Sequence, residues 1–103
     1  IRENTDHSFM MYPIVIKNPK IKKEDLVNFL ESNNIETRDM LPLINQPIYK
    51  KILGDIEHKF PVAKWINEKG FYIGCQPSLT ELERSYIIKK FEEFFSKQGL
   101  NKL

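Results

Sequence analysis

An α+β domain, a small sheet with helices packed on one face, follows from three features of the amino-acid sequence. Residues 8–17 and 71–75 are short apolar runs rich in β-branched and aromatic side chains, as strands are. Residues 22–32, the stretch opened by Pro61, and the stretch opened by Thr80 space their apolar residues as helices do. These pieces alternate as β-α-(β)-loop-α-β-α. A mostly antiparallel sheet is one form expected, and the short strands leave the pairing open. Helical crossovers also permit parallel pairs, so a mixed sheet is the other form expected.

The first strand run is Ser8-Phe9-Met10-Met11-Tyr12-Pro13-Ile14-Val15-Ile16-Lys17. It is nearly continuous in apolar residues, which predicts a strand buried on both faces. Pro13 inside it argues for a sheet edge or a bulge, and Asn18-Pro19 ends it. From Lys22 to Ser32, Leu26, Phe29 and Leu30 share one helical face, and Glu24 and Asp25 complement the helix dipole in the first turn. Asn33-Asn34 is a stop signal, because Asn tolerates the left-handed conformation. Ile35 to Thr37 is expected as a short strand, and Ile48 to Leu53 as one or two helical turns.

Phe60-Pro61 opens the next helix, since Pro at the first helical position loses only an N–H that would be unpaired anyway. Val62, Trp65 and Ile66 form its apolar face, Gly70 ends it, and Phe71 to Cys75 is the second strand. Gln76-Pro77-Ser78 turns the chain. Thr80 and Glu83 have capping-box spacing. Leu82, Tyr86, Ile87, Phe91, Phe94 and Phe95 mark the apolar face of a long last helix that Gly99 closes. There is no internal repeat and no low-complexity tract.

One domain is expected over residues 1–103, 41% hydrophobic and 29% charged, a composition that can bury one modest core. The formal net charge of +2 is too even to point to nucleic acid or an anionic membrane as a partner. The single cysteine, Cys75, allows no intrachain disulfide and fits a reducing cytoplasm. No apolar run approaches the roughly 18 residues that span a bilayer. The chain starts Ile1-Arg2-Glu3-Asn4 without an initiator methionine and enters a strand-like run almost at once, as a piece of a longer protein would.

Residues 35–49 are the most informative for function. Pro42 and Pro47 forbid a continuous helix there and interrupt any sheet ladder. The stretch also holds Arg38, Asn45, Gln46 and Tyr49, groups that recognise polar ligands. On the residues alone a connector that is merely polar is the plainer interpretation. Asp39, next to Arg38, has two readings, a ligand-facing carboxylate or a turn residue, and the turn residue is the plainer one. His7, His58 and Cys75 show no metal-ligand spacing, and no third group orients a Cys–His pair. The four glycines are too scattered to cradle a phosphate. Lys69-Gly70-Phe71-Tyr72-Ile73 partly echoes an RNA-recognition strand, but Tyr72 stands where a small residue belongs and no basic surplus supports it. No self-sufficient active site emerges, so no catalytic residue and no metal is expected.

Taken together, a series of segments resembles the C-terminal small domain of the DegT/StrS family of nucleotide-sugar aminotransferases. The series runs His7-Ser8-Phe9-Met10-Met11-Tyr12-Pro13, Asn34-Ile35-Glu36-Thr37-Arg38, Leu41-Pro42-Leu43, Gln46-Pro47-Ile48-Tyr49 and Phe60-Pro61-Val62-Ala63. It ends in Gly70-Phe71-Tyr72-Ile73-Gly74-Cys75 and Leu79-Thr80. Each segment is weak alone; their order and spacing over nearly the whole chain carry the resemblance.

The resemblance implies pyridoxal phosphate held by a lysine of a larger N-terminal domain that is not in this chain. An amino donor, commonly glutamate, would load it, and a keto-sugar on a nucleotide would be aminated. None of the 13 lysines here is assigned that role. This chain alone would be inactive, closing one side of the sugar site in a cytoplasmic, homodimeric enzyme of polysaccharide biosynthesis. Its partners would be the N-terminal domain and the nucleotide sugar, with no nucleic acid and no membrane. Arg38 suits a phosphate or carboxylate, because its guanidinium forks onto paired oxygens. Asn45, Gln46 and Tyr49 suit sugar hydroxyls, with His7 and Ser8 behind them. The chain departs from the family pattern at Gln76, where many members carry His, and near Ser78, where many carry a further Gly. Other branches carry a His near Ile44 or Asn45. The alternatives are a stand-alone nucleotide-sugar-binding or regulatory module and, behind it, an RNA-binding module. Met10, Met11, Met40 and Leu41 are the residues expected to face the larger domain.

Overall fold

A computed structural model describes residues 2–8 and 10–99. The chain runs β1 (Tyr12–Val15), α1 (Lys23–Ser32), β2 (Thr37–Asp39), α2 (Pro47–Leu53), α3 (Pro61–Lys69), β3 (Gly70–Ile73) and α4 (Glu81–Lys97). Short 3-10 turns at Leu43–Asn45 and Glu57–Lys59 precede α2 and α3. This is the expected α+β arrangement, with α2 as a full element.

The three strands lie in the order β1-β3-β2, and both pairings are antiparallel. β1 and β2 flank β3, so they run the same way without touching. The parallel pair that the α1 crossover allowed is thereby replaced by two antiparallel ones. Tyr12 pairs with Ile73 and Val15 with Gly70 on one side. Thr37 pairs with Ile73 and Asp39 with Phe71 on the other.

Because side chains alternate along a strand, Phe71 and Ile73 point to one face and Tyr72 to the other. On the first face Phe71, Ile16, Leu26 and Leu30 are fully buried, joined by Ile21, Ile35, Ile73, Phe94 and Phe95. This core is built by α1 and the C-terminal half of α4. Phe29 and Phe94 meet at 5.4 Å, and Phe94 sets its edge against Phe95 at 5.6 Å.

Local chemistry places the helix ends. Asn34 has φ 62°, the left-handed turn that releases the chain from α1. Thr80 and Glu83 form the reciprocal capping box at the start of α4. Gly70 ends α3 and opens β3 at once with ordinary extended geometry. It is glycine because an added Cβ would stand 2.4 Å from the Ile66 carbonyl oxygen.

Four expectations are corrected. The first strand is four residues long and not buried on both faces: Tyr12 and Pro13 are exposed because β1 is an edge strand, where the missing N–H of Pro13 is tolerated. Phe9, within the expected run, lies outside the described residues. β2 begins at Thr37, since Ile35 is instead anchored in the core with its N–H on the Leu30 carbonyl. Leu82, 83% exposed, and the exposed Tyr86 lie before the point where α4 meets the core. The Val62–Trp65–Ile66 stripe faces no core either: no residue from 36 to 69 is buried. The radius of gyration, 15.9 Å, accordingly exceeds the roughly 13 Å of a compact 100-residue domain.

Candidate functional site

The Arg38–Tyr49 segment starts on an edge strand. β2 is held by its pairing with β3 and by Glu31 of α1, whose carboxylate accepts from the Thr37 N–H at 2.6 Å and from its hydroxyl at 2.8 Å. Those two bonds, backbone first, hold the Glu31 carboxyl below its ordinary value, and the nearby Arg38 charge adds to the effect. Arg38 sits directly across from Tyr72, on the sheet face away from the core. Its guanidinium pairs with Glu36 while its side chain stays 66% exposed.

Beyond β2 the chain follows the two prolines. Met40 is half-buried and packs over Gly70. Pro42 leads into the Leu43–Asn45 turn, and Pro47 occupies the first turn of α2, where it is compatible with the helix. The Gln46 amide donates to the Asn45 side-chain oxygen at 3.0 Å. Tyr49 follows on the first turn of α2, partly exposed.

Asn45, Gln46 and Tyr49 therefore form one local group, whereas Arg38 belongs to another. Arg38 lines a cleft of about 630 Å³ between the β2 side of the sheet and the start of α4. Its partners there include Tyr72, Gln76, Glu83 and Tyr86, and neither Asn45, Gln46 nor Tyr49 lines it. Among the described residues no hydrogen bond joins Arg38 to the amide pair. His7 and Ser8 lie in exposed chain before β1 and line neither this cleft nor the next.

The Arg38 cleft is of ligand size, and its lining mixes one cation (Arg38), two carboxylates (Glu36, Glu83), two amides (Asn34, Gln76) and two phenols (Tyr72, Tyr86) with apolar residues. Sequence reasoning missed its far wall. The sequence marks Gln76 as a turn residue that departs from the family pattern, Tyr72 as a strand residue and Tyr86 as part of an apolar helix face. The β2–β3 register brings Arg38 to Tyr72, and the turn after β3 and the start of α4 add Gln76 and Tyr86. Tyr86 also donates from its hydroxyl to the Asn33 carbonyl at 3.1 Å, which ties α4 to the end of α1.

A second, more apolar cleft of about 730 Å³ lies between β1 and α4, lined by Tyr12, Ile14, Ile88 and Phe91 among others. Its polar groups, among them Gln76, Arg84 and Glu92, sit among more extensive apolar walls than in the Arg38 cleft. Among the described residues no three His, Cys, Asp or Glu come together as a metal site. Phe71 is wholly buried, so it offers no ring to a nucleic-acid base. No helix among the described residues is long and apolar enough to cross a membrane.

Residues 1–92 match the DegT/DnrJ/EryC1/StrS aminotransferase family. The lipopolysaccharide biosynthesis protein RfbH of Salmonella typhimurium is 33% identical over 102 residues, covering 96% of this chain and 23% of that protein. An uncharacterized protein of Methanocaldococcus jannaschii is 29% identical over 84 residues, covering 79% of this chain and 22% of its own length. The dTDP-4-dehydro-2,6-dideoxy-D-glucose 3-dehydratase of Saccharopolyspora spinosa is 26% identical over 99 residues, 93% of this chain and 21% of that enzyme. The chain spans less than a quarter of the length of each of these relatives.

Proposed function

The chain belongs to the DegT/DnrJ/EryC1/StrS aminotransferase family, and from that premise we propose that it is the substrate-positioning domain of a nucleotide-sugar aminotransferase. The observation that carries this is the family match itself, which includes the whole sheet and the full Arg38–Tyr49 segment. In the proposed enzyme an amino group passes from an amino acid, glutamate in the first instance, to a keto-sugar carried on a nucleotide. The product would feed surface-polysaccharide assembly, as the name of the Salmonella relative suggests for that protein.

The family is generally dependent on pyridoxal phosphate. None of the 13 lysines here is assigned to that cofactor by motif. Its aldehyde is carried by an unencumbered lysine, and the two best-shielded ion-paired lysines here are already engaged. Lys23 donates to Asp39 and two backbone carbonyls, and Lys90 to Glu93. We place the cofactor-bearing lysine on another domain of the whole enzyme, as the family resemblance implies.

What this chain contributes is orientation. Arg38 offers a charge-assisted fork to the nucleotide phosphates. Asn45, Gln46 and Tyr49 offer donors and acceptors to sugar hydroxyls, with His7 and Ser8 in a supporting place. Since Arg38 and the amide group occupy separate places on the chain, an extended substrate reaching both would suit them better than a small one. The whole enzyme is taken to be a cytoplasmic homodimer, with this domain packed on its larger neighbour.

A second reaction is favoured by one finding: the Saccharopolyspora relative is named as a 3-dehydratase of a nucleotide-linked 4-keto-sugar. The same kind of domain would then position a sugar that loses water instead of gaining nitrogen. Incubating the full-length protein with a nucleotide-linked keto-sugar and glutamate separates the two. Formation of 2-oxoglutarate with an amino-sugar product supports aminotransfer, and loss of water seen by mass spectrometry supports dehydration. Neither product, with nucleotide-sugar binding by the isolated chain in calorimetry, would instead support a non-catalytic binding module.

A further inference from the structure

Lys23 breaks a local rule. It is the first residue of α1, where the helix dipole disfavours a cation, and Lys22 before it gives no side-chain cap. A residue that violates its local preference usually serves something distant. Here the distant partners are explicit. The Lys23 ammonium donates to Asp39 Oδ1 at 3.0 Å, to the Asn67 carbonyl at 3.0 Å and to the Gly70 carbonyl at 3.3 Å. An ammonium has three hydrogens, so this set uses all of its donors. The side chain is only 18% exposed.

The three acceptors lie on different elements. Asn67 is in the last turn of α3, where carbonyls lack partners within the helix and the dipole favours a cation. Gly70 is the junction of α3 with β3. Asp39 is the last residue of β2, next to Arg38, and the proline segment departs from it. Lys23 thus clamps the origin of that segment to a helix end and to the central strand. The Asp39 side chain is itself 60% exposed, so the Lys23 ammonium is the group that ties it back to the sheet and the helix end.

The geometry points to Lys23 as a positioning residue for the substrate-facing segment, holding Asp39 so that Arg38 keeps its place on β2 and residues 40–46 leave the strand in one orientation. This rests on the proposed substrate role of Arg38 to Tyr49. Lys23 touches no substrate in it; the ammonium acts through Asp39.

The test is made in the full-length protein with Lys23→Met, Lys23→Arg and Asp39→Asn, and with Arg38→Ala in parallel. Lys23→Met is expected to raise KM for the nucleotide sugar about tenfold, the scale of one charge-assisted hydrogen bond, with kcat at saturation held. Lys23→Arg, which can donate to the same acceptors, recovers most of the loss. Hydrogen exchange of the 40–46 amides accelerates in Lys23→Met while that of β3 does not. A lower melting temperature with unchanged KM and unchanged exchange at 40–46 overturns the inference. Should Lys23→Met fail to fold, Asp39→Asn decides it in the same way: a raised KM with faster exchange at 40–46 supports it, and an unchanged KM overturns it. If Arg38→Ala also leaves KM unchanged, the substrate role of the segment fails and the Lys23 inference with it. If Arg38→Ala raises KM and Lys23→Met does not, the Lys23 inference fails alone.

Discussion

Arg38 and Tyr72 face each other across adjacent strands, paired in register on the open side of the sheet. Cross-strand neighbours of this kind have Cβ atoms about 5 Å apart, so a cation and a ring share one small area of surface. An arginine beside a tyrosine on an open face can grip a phosphate while the ring supports a flat or apolar part of the same ligand. The cleft they line continues to Gln76 and Tyr86.

Replacing Arg38 by alanine in the full-length enzyme is expected to weaken nucleotide-sugar affinity by about 10- to 100-fold, the range for losing a hydrogen bond to a charged group. Arg38→Lys should recover only part, because an ammonium cannot fork onto two oxygens. Titration of the nucleotide sugar against each variant checks this, and equal affinity in all three removes Arg38 from the site. The Glu36 pairing makes no difference to the direction: both side chains are largely exposed, and such pairs are weak in water.

Two glycines make a matched stability experiment. A Cβ at Gly70 would approach the Ile66 carbonyl oxygen to 2.4 Å, whereas at Gly74 it would meet nothing within 4 Å. Gly70→Ala must move the α3–β3 junction and is expected to cost about 1–3 kcal/mol. Gly74→Ala should be neutral or slightly stabilising, by up to about 1 kcal/mol, since alanine narrows the unfolded ensemble. Thermal unfolding followed by circular dichroism distinguishes them. Equal melting temperatures would mean that the junction is looser than its contacts indicate.

These contrasts mark what a sequence conveys. The Thr80–Glu83 box and the turn at Asn34 were legible because capping is decided within four residues. Pro61 likewise announced a helix start, whereas Pro47, read only as a breaker, opens α2. The position of β2 was not legible, because Ile35 is drawn into the core under α1 and pairing begins two residues later. Nor was the fate of the Val62–Trp65 stripe: periodicity shows that a face is apolar, never what covers it. The candidate site suffered most. Arg38 meets Tyr72, and Lys23 meets Asn67 and Gly70, only through sheet register and helix packing far apart in sequence. The amide group Asn45–Gln46 was visible, but its separation from Arg38 was not.

Acid should weaken the fold through three carboxylates. Glu93 is brought from its ordinary 4.5 to about 2, first by Lys90 and then by Lys97. Glu83 is lowered by the Thr80 N–H and then its hydroxyl, and Glu31 by the same two groups of Thr37. A carboxyl with a depressed value in the folded state stabilises above its unfolded value and loses that contribution as pH falls toward the folded one. For Glu93 the window runs from 4.5 down to about 2. The melting temperature is therefore expected to fall across that window, and to fall less steeply in Glu93→Gln. Since these groups sit at the surface, roughly 1 M salt should flatten the Glu93 share while leaving the hydrogen-bonded Glu83 share largely in place. An unchanged slope in Glu93→Gln would show that the lysine pair contributes nothing measurable.

The apolar residues of α2 and α3 lead to the last prediction. Of the four residues first expected on a docking face, Met10 is 80% exposed and Leu41 is also open, but Met11 and Met40 are half-buried. The larger exposed surface is further along, in Leu43, Ile48, Ile52, Leu53, Phe60, Val62 and Trp65. A typical monomer's largest apolar patch is about 300–600 Å², and a standard interface takes about 800 Å² from each partner. These seven exposed side chains, carried by α2, α3 and the turns before them, are the larger candidate for such a face. In the whole enzyme this face would be covered; in the isolated chain it should bind its like. Sedimentation at roughly 100 µM, well above a micromolar dissociation constant, is expected to show dimers or larger species. Ile52→Asp combined with Leu53→Asp should return the chain to a monomer without changing its circular dichroism, because neither residue is buried. A wild-type chain that stays monomeric at that concentration would mean the surface is too dispersed to associate.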